Sequence, residues 1–225
     1  MGELIGELLP LAVGVAVSPV PIIAVILMLL SPRAGGTSVG FLGGWVAGVV
    51  IGSTVLVLVA EAADLGGGDE SSTGSAWVKL VVGLLLLVVG VRQWGKRPAP
   101  GQPVVMPKWM AAIDKVTPVK AAGLGFLLST VNPKNLLMIV GAATTIADAG
   151  LSTGDDVVAI VVFTLIACST VAVPVVGYLS ARERMAPHLD SLKDWLEANN
   201  VAVMSVLLLV IGVAMLGKGI GGLTG

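Results

Sequence analysis

The stretch VNPKNLLM, residues 131–138, places two asparagines, a proline and a lysine inside an otherwise apolar segment. It follows AAGLGFLLST at 121–130 and precedes IVGAATTIA at 139–147. A proline inside a helix removes one amide donor and crowds the carbonyl four residues earlier. Pro133 therefore predicts a helix break that frees the carbonyl of Ser129. The chemical consequence of that break depends on whether the segment crosses a membrane.

The composition of the whole chain is that of a membrane protein. Of its 225 residues, 56% are hydrophobic and only 12% are charged, and the mean hydropathy is +0.99. A soluble domain carries about 25% charged residues. The 30 glycines lie mainly within apolar runs, as is common in membrane helices. The composition predicts a polytopic membrane protein, and its single cysteine excludes an internal disulfide.

The apolar runs predict six membrane-spanning helices. A helix needs about 20 apolar residues to cross the hydrocarbon core. Strands are excluded because an open sheet edge would leave backbone groups unsatisfied in lipid. The six runs that are long enough lie at 4–30, 37–61, 77–95, 120–147, 156–180 and 200–220.

The charges predict how these helices are oriented. Ten of the 13 lysines and arginines fall in the connections between spans one and two, three and four, and five and six. Nine acids fall on the opposite side. Because loops rich in lysine and arginine stay in the cytoplasm, both termini are predicted to lie outside.

Two of the basic connections show the spacing of amphipathic helices. A basic linker at 97–119 contains PKWMAAIDKV at 107–116, and MAPHLDSLKDWLEANN begins at residue 185. We predict short cytoplasmic helices here, the second of them near 185–198. Such helices either lie in the plane of the headgroups or cover the base of the bundle.

An internal repeat divides the chain into two halves. LLLLVVGVRQWGK at 84–96 matches VLLLVIGVAMLGK at 206–218 at eight of thirteen positions. SPVPIIAVILML at 18–29 corresponds to NPKNLLMIVGAA at 132–143, so that Pro19 pairs with Pro133. We therefore predict two three-helix repeats, at 1–96 and 120–225, each with a broken first helix. Because three is an odd number, the second repeat must be inverted in the membrane, as in many transporters.

The two broken helices contain the candidate substrate or translocation residues. The prolines release carbonyls that must find protein, water or ligand, and the serine and asparagines are suitable partners. The start of each second half-helix also directs free amides and a positive dipole end into the protein, which favours anions. A plain membrane kink is the alternative at each proline. The predicted residues are Ser18, Pro19, Pro21, Asn132, Pro133, Lys134 and Asn135.

Lys134 is the strongest of these candidates. It is the only charged residue predicted at mid-span, where a lysine costs about 2.5–3.5 kcal/mol. Its partner could be solvent, a substrate anion or a freed carbonyl. We expect its ammonium to face a central cavity near the carbonyls of the opposing broken helix. On this basis, Lys134→Met should leave folding intact and abolish transport.

Enzymatic chemistry finds no support in the sequence. The patterns of zinc proteases, serine hydrolases and P-loop enzymes do not occur. With one histidine and no predicted pair of acids in the membrane, we expect no catalytic residue, no metal site and no cofactor.

Several segments resemble those of one bacterial family. SPVPIIAVILMLLSPRA, RQWGKRP, PKWMAAID, GFLLSTVNPKNLLM and LKDWLEANN are similar to the GAP family, the sulfolipid- or glycopeptidolipid-addressing proteins of the lysine-exporter superfamily. The resemblance covers nearly the whole chain. It implies a six-helix plasma-membrane protein of actinobacteria that is associated with moving glycolipids toward the envelope. Paired cysteines of the superfamily's thiol-redox branch are replaced here by Ser18 and Asn132.

These observations predict an exporter of an anionic or sugar-bearing lipid. An amino-acid or small-metabolite exporter is the first alternative, and a scaffold of a larger lipid-export machine is the second. The expected partners are membrane lipids and the substrate, with such a machine and a second copy of the chain as further candidates, and no nucleic acid. A lipid exporter should show an apolar groove that opens laterally, and an amino-acid exporter a closed polar pocket.

Overall fold

The computed structural model describes residues 1–63, 73–96, 113 and 116–224. Apart from a 3₁₀ turn at Ile113, every regular element in these ranges is an α-helix. In chain order the helices are α1 (Gly2–Ala16), α2 (Pro19–Leu30), α3 (Ala34–Ala62), α4 (Thr73–Trp94), α5 (Pro118–Thr130), α6 (Pro133–Asp148), α7 (Thr153–Ser180) and α8 (Arg182–Thr224). The predicted linker and its amphipathic helix lie outside the described residues, apart from Ile113 and residues 116–119.

The helices provide four membrane crossings, or six if each of two bent pairs is one crossing. By length and hydropathy, α3, α4, α7 and α8 can each span a bilayer alone. The other four form two bent pairs, α1 with α2 at 53° and α5 with α6 at 61°, and each pair has the composition of one broken span. The protein is thus a multi-pass membrane protein, and both predicted interruptions are present.

Each break is a point where a helix stops and a new one starts. Pro19 and Pro133 occupy the first helical positions of α2 and α6, where the missing amide proton would have had no partner. Ser18 and Asn132 are the residues that precede them. The side-chain oxygen of Asn132 accepts a hydrogen bond from the amide of Lys134 at 3.1 Å, which is a typical helix cap.

The bundle has two ends, which we name by the groups found there. At the terminal end, Met1 and Asp148 line one cavity, and Lys218 pairs with Glu7. At the basic end, α3 begins after Arg33 and α8 begins at Arg182.

Glycines bring α3 and α5 into close contact. Gly40, Gly44 and Gly48 recur every fourth residue of α3. A Cβ atom on Gly44 would overlap the carbonyl oxygen of Ala122, and one on Gly125 of α5 would overlap the carbonyl oxygen of Phe41. Small residues at this spacing allow membrane helices to approach closely. This contact fixes α5, the first half of the second broken span, against α3.

The contact between α4 and α8 is reciprocal. A Cβ atom on Gly90 would lie 3.2 Å from Leu209, and one on Gly212 would lie 2.9 Å from Leu87. Each glycine therefore contacts a leucine of the other helix, and that leucine lies three positions before the other helix's glycine. Exchange of equivalent residues across an interface is what a two-fold axis produces.

The end of the chain differs from the prediction of a separate amphipathic helix near 185–198. That segment and the sixth span form one helix of 43 residues, α8. No glycine or proline occurs between His188 and Ile211 to end it. Leu189 and Leu196 are buried, whereas Leu192 is 39% exposed. The segment therefore packs on the base of the bundle in line with the span that follows.

Candidate functional site

The two helix breaks meet in the middle of the bundle at one lysine. The ammonium of Lys134 donates to the carbonyl oxygen of Gly14 at 2.5 Å, to that of Val17 at 3.1 Å and to Ser18 Oγ at 2.6 Å. Lys134 is only 2% exposed. Its three protons thus have three acceptors, which lie in the last turn of α1 and in the break that follows it. We call this contact the break junction.

The junction satisfies the carbonyls that α1 leaves unpaired where it ends. The last carbonyls of a helix have no partner within the helix. Of the four at residues 14–17, the first and the last accept from Lys134. The carbonyl of Val15 accepts from Ser18 Oγ at 2.9 Å, and that of Ala16 from Thr170 Oγ1 of α7 at 2.6 Å. All four carbonyls are therefore bonded.

Asn135 connects the junction to the second broken span. Its side-chain oxygen lies 3.2 Å from Ser18 Oγ, and its side-chain nitrogen donates to the carbonyl of Leu128 in α5 at 3.0 Å. The structure therefore brings together Ser18, Lys134 and Asn135, as expected from the sequence. Asn132 caps α6 beside them, and the three prolines begin α2 and α6. Their part in transport stays a prediction.

The geometry differs from the sequence-based expectation in two respects. Lys134 was expected to face a central cavity, but its protons are all used within the protein. The helix starts were expected to offer free amides to an anion. Pro19 and Pro21 leave only one amide in the first three residues of α2, and Asn132 already binds the amide of Lys134. The ammonium is therefore the principal positive group at the junction.

Two residues of the junction were missed in the sequence. Gly14 leaves room in α1 for side chains of α6 and α8, because a Cβ atom there would lie 2.9 Å from Met138 Sδ and 2.7 Å from Ile211 Cδ1. Thr170 comes from α7, in the other half of the chain. Gly14 could have been found as a small residue four positions before Ser18. Nothing in the sequence around Thr170 indicated its contact with α1.

An apolar groove leads from the basic end of the bundle to the junction. It has a volume of about 410 Å³ and is lined by Val17 and Ile22 at the first break, by residues within 169–174 of α7, and by Leu192 and Leu196 of α8. The hydroxyls of Ser169 and Thr170 are bonded to backbone carbonyls, so the groove presents apolar surface. We call it the α7–α8 groove.

The terminal end has a smaller cavity with acidic walls. Its volume is about 230 Å³, and Glu3, Glu7 and Asp148 are among its lining residues. Lys79 of α4 pairs with Asp148 at 2.5 Å, and Lys218 of α8 pairs with Glu7 at 3.3 Å. These pairs link α4 to α6 and α8 to α1. They were missed because only Lys134 was treated as a charge within the spans.

Comparison with known proteins identifies the family. No curated protein and no solved structure matches the chain. A family model described as Sap, sulfolipid-1-addressing protein (SfLAP), matches residues 8–221, which include both helix breaks and the whole of the junction. The match extends over nearly the full length and agrees with the resemblance found in the sequence. This multi-pass membrane protein therefore belongs to the SfLAP family, the sulfolipid-1-addressing proteins.

Proposed function

We propose that this protein exports a polar-headed lipid, which enters sideways through the α7–α8 groove. The observation that carries the proposal is the groove itself, which is apolar and ends at the break junction. Val173 on its wall is 64% exposed, so the groove is open toward the surrounding lipid. An acyl chain fits such a surface, whereas a free amino acid would need a polar pocket.

The junction supplies a contact for the headgroup. Val17 lines the groove, and its carbonyl accepts the longest of the three hydrogen bonds from Lys134. A headgroup that arrives along the groove meets this bond first. A sulfate or phosphate oxygen forms a stronger hydrogen bond with an ammonium than a neutral carbonyl does. We infer that an anionic headgroup displaces the carbonyl of Val17 and opens the junction.

We also propose that the chain consists of two inverted repeats, as in the lysine-exporter superfamily. The reciprocal contact of Gly90 with Leu209 and of Gly212 with Leu87 supports this arrangement. So does the presence of a broken helix at the same place in each half. In such proteins, one repeat moves against the other around a site at the breaks.

Filling the groove tests the transport proposal. We expect Val173→Trp to reduce flipping of a fluorescently labelled sulfated glycolipid in proteoliposomes at least tenfold, because the indole occupies the space of the acyl chain. The residue is largely exposed, so folding should be preserved. Val213→Trp is the matched control, since Val213 is 62% exposed on α8 and does not line the groove. Equal flipping by both variants would refute entry through the groove.

We propose further that the basic end faces the cytoplasm of a bacterium and that both termini lie outside its plasma membrane. The excess of basic residues in the connections at that end supports this orientation. Cysteine introduced at Glu3 should react with a membrane-impermeant maleimide in intact cells. Cysteine introduced at Arg182 should react only after permeabilisation. Native Cys168 is 4% exposed and gives the background. The reverse pattern of labelling would invert the proposed topology.

A scaffold of a larger lipid-export machine is the second candidate function. It is favoured by the internal bonding of Lys134, which leaves the ammonium no proton for a substrate in this conformation. A scaffold should show no flipping when it is purified and reconstituted alone. Flipping by the wild type that is lost in the Val173 variant would exclude this candidate.

A further inference from the structure

The break junction and the terminal-end cavity lie on the same face of α6. Lys134 at the junction and Asp148 at the cavity are fourteen residues apart, which corresponds to about four turns and about 21 Å. Between them, Met138, Gly141 and Thr145 occupy the same face of the helix. One row of residues therefore leads from the lysine to the cavity.

Apolar side chains of three helices close this row between its two ends. A Cβ atom on Gly141 would lie 3.1 Å from Met215 Cε of α8 and 3.4 Å from Leu11 Cδ2 of α1. Met138 of α6 fills the corresponding space beside Gly14. Leu11, Met138 and Met215 are at most 2% exposed, and we call these three residues the plug. Two of them are methionines, whose flexible side chains can repack when their surroundings change.

Two ion pairs hold the same helices together on the terminal side of the plug. Lys79 of α4 pairs with Asp148 of α6, and Lys218 of α8 pairs with Glu7 of α1. Both lysines thus belong to α4 and α8, and both acids belong to the broken spans. The two acids also line the terminal-end cavity. Since Lys218 follows Met215 by three residues, one face of α8 contributes both to an ion pair and to the plug.

The helices α4 and α8 are packed as one unit. A Cβ atom on Gly83 would lie 2.8 Å from the amide nitrogen of Leu216, and one on Gly219 would lie 2.8 Å from the amide nitrogen of Leu80. Such close backbone contact favours movement of the two helices together. A displacement of this unit away from α1 and α6 would break both ion pairs and withdraw Met215 from the plug. The pairs and the plug should therefore open in one event.

We propose that the lipid headgroup leaves the break junction along this face of α6 toward the terminal-end cavity, and that the two ion pairs are the gate of this route. The inference rests on the proposed export of a lipid. The gate is closed here while the α7–α8 groove at the other end is open, as alternating access requires. Glu3, Glu7 and Asp148 on the cavity wall repel an anionic headgroup, which favours its release.

The test measures the distance between α1 and α8 and does not depend on transport. Cysteines replace Gly6 and Gly221, where a Cβ atom has no neighbour within 4 Å, and both are spin-labelled in the full chain in lipid nanodiscs. Native Cys168 is 4% exposed and stays unlabelled. Double electron–electron resonance should give one main distance. Adding Lys79→Met and Lys218→Met should raise the ratio of a longer distance to the main one about tenfold, which corresponds to about 1.4 kcal/mol.

Further variants separate the gate from a general loss of charge. Lys193→Met removes a lysine that pairs with Asp190 in its own helix at 2.7 Å, so the distances should not change. Lys218→Met alone should open part of the population. Its side chain and that of Glu7 are 29% and 38% exposed, so folding should be preserved. Exchanging the charges, by Glu7→Lys with Lys218→Glu, should restore the single distance.

The outcomes distinguish the gate from the proposed transport. Unchanged distances in Lys218→Met and in the double lysine variant would overturn the gate, even if the wild type flips lipid. A longer distance in both variants supports the gate. If the wild type then flips no lipid in proteoliposomes, the proposed export is wrong, and the gate does not control a lipid route.

Discussion

Replacing Lys134 with methionine should destabilise the folded protein by about 3 kcal/mol, or roughly 10 °C in Tm. The methionine leaves the carbonyls of Gly14 and Val17 without donors where water is scarce. This loss outweighs the relief of no longer burying a charge, because the carbonyls were already prevented from bonding within α1. The sequence alone had predicted unimpaired folding. The measurement is thermal unfolding of the purified protein in detergent.

Two comparisons test whether the loss of stability in Lys134→Met comes from the break junction. Lys120→Met removes an exposed lysine from α5 and should leave Tm unchanged. Ser18→Ala should also lower Tm. The double variant should lose less stability than the two single variants lose together, because Ser18 Oγ accepts from the Lys134 ammonium. If Lys134→Met has the same Tm as the wild type, the three hydrogen bonds of Lys134 contribute nothing to stability. The assignment of Lys134 as the partner of the carbonyls at the end of α1 is then wrong.

Gly44→Ala should destabilise the protein by about 3 kcal/mol. The added methyl group would overlap the carbonyl oxygen of Ala122. A flexible side chain could turn away from such an overlap, but a backbone carbonyl within a helix cannot. The helices α3 and α5 would have to separate, and α5 begins the broken span that leads to Lys134. We therefore expect lower Tm and loss of lipid flipping together.

Gly43→Ala provides the matched control. Gly43 is adjacent to Gly44 in the same helix, yet a Cβ atom there would have no neighbour within 4 Å. Alanine favours helix over glycine by up to about 1 kcal/mol, so this variant should be as stable as the wild type or slightly more stable. A similar loss of stability in both variants would show that α3 needs flexible glycines rather than close contact with α5.

The positions of the helix breaks could be predicted because the effect of proline is local. Pro19 and Pro133 act on their own backbone, so their consequences follow from the residues beside them. The bonding partners of Lys134 could be predicted only by type. Freed carbonyls of the opposing helix were among the expected partners, but their identity depends on how α1 packs against α6, where Gly14 leaves room for Met138.

Contacts between distant segments could not be predicted from the sequence. Thr170 reaches the carbonyl of Ala16 only after α7 packs against α1. Lys79 and Asp148 are 69 positions apart, and neither residue indicates the other. The prediction of free amides at the helix starts was wrong for a different reason. The same prolines that break the helices also remove amide protons from the start of α2. This outcome could have been predicted from the sequence, because proline both starts a new helix and lacks the amide proton that an anion would bind.

The continuity of α8 has a mechanical consequence. Leu192 forms part of the wall of the α7–α8 groove, and Lys218, about 39 Å further along the same helix, holds Glu7 at the opposite end of the bundle. Beyond Leu209 the helix is held along its length, because Gly83, Gly212 and Gly219 bring α4 and α8 into close contact as far as the terminal end. We therefore expect a lipid that widens the groove at Leu192 to bend α8 before this contact and to leave the ion pair at the far end in place.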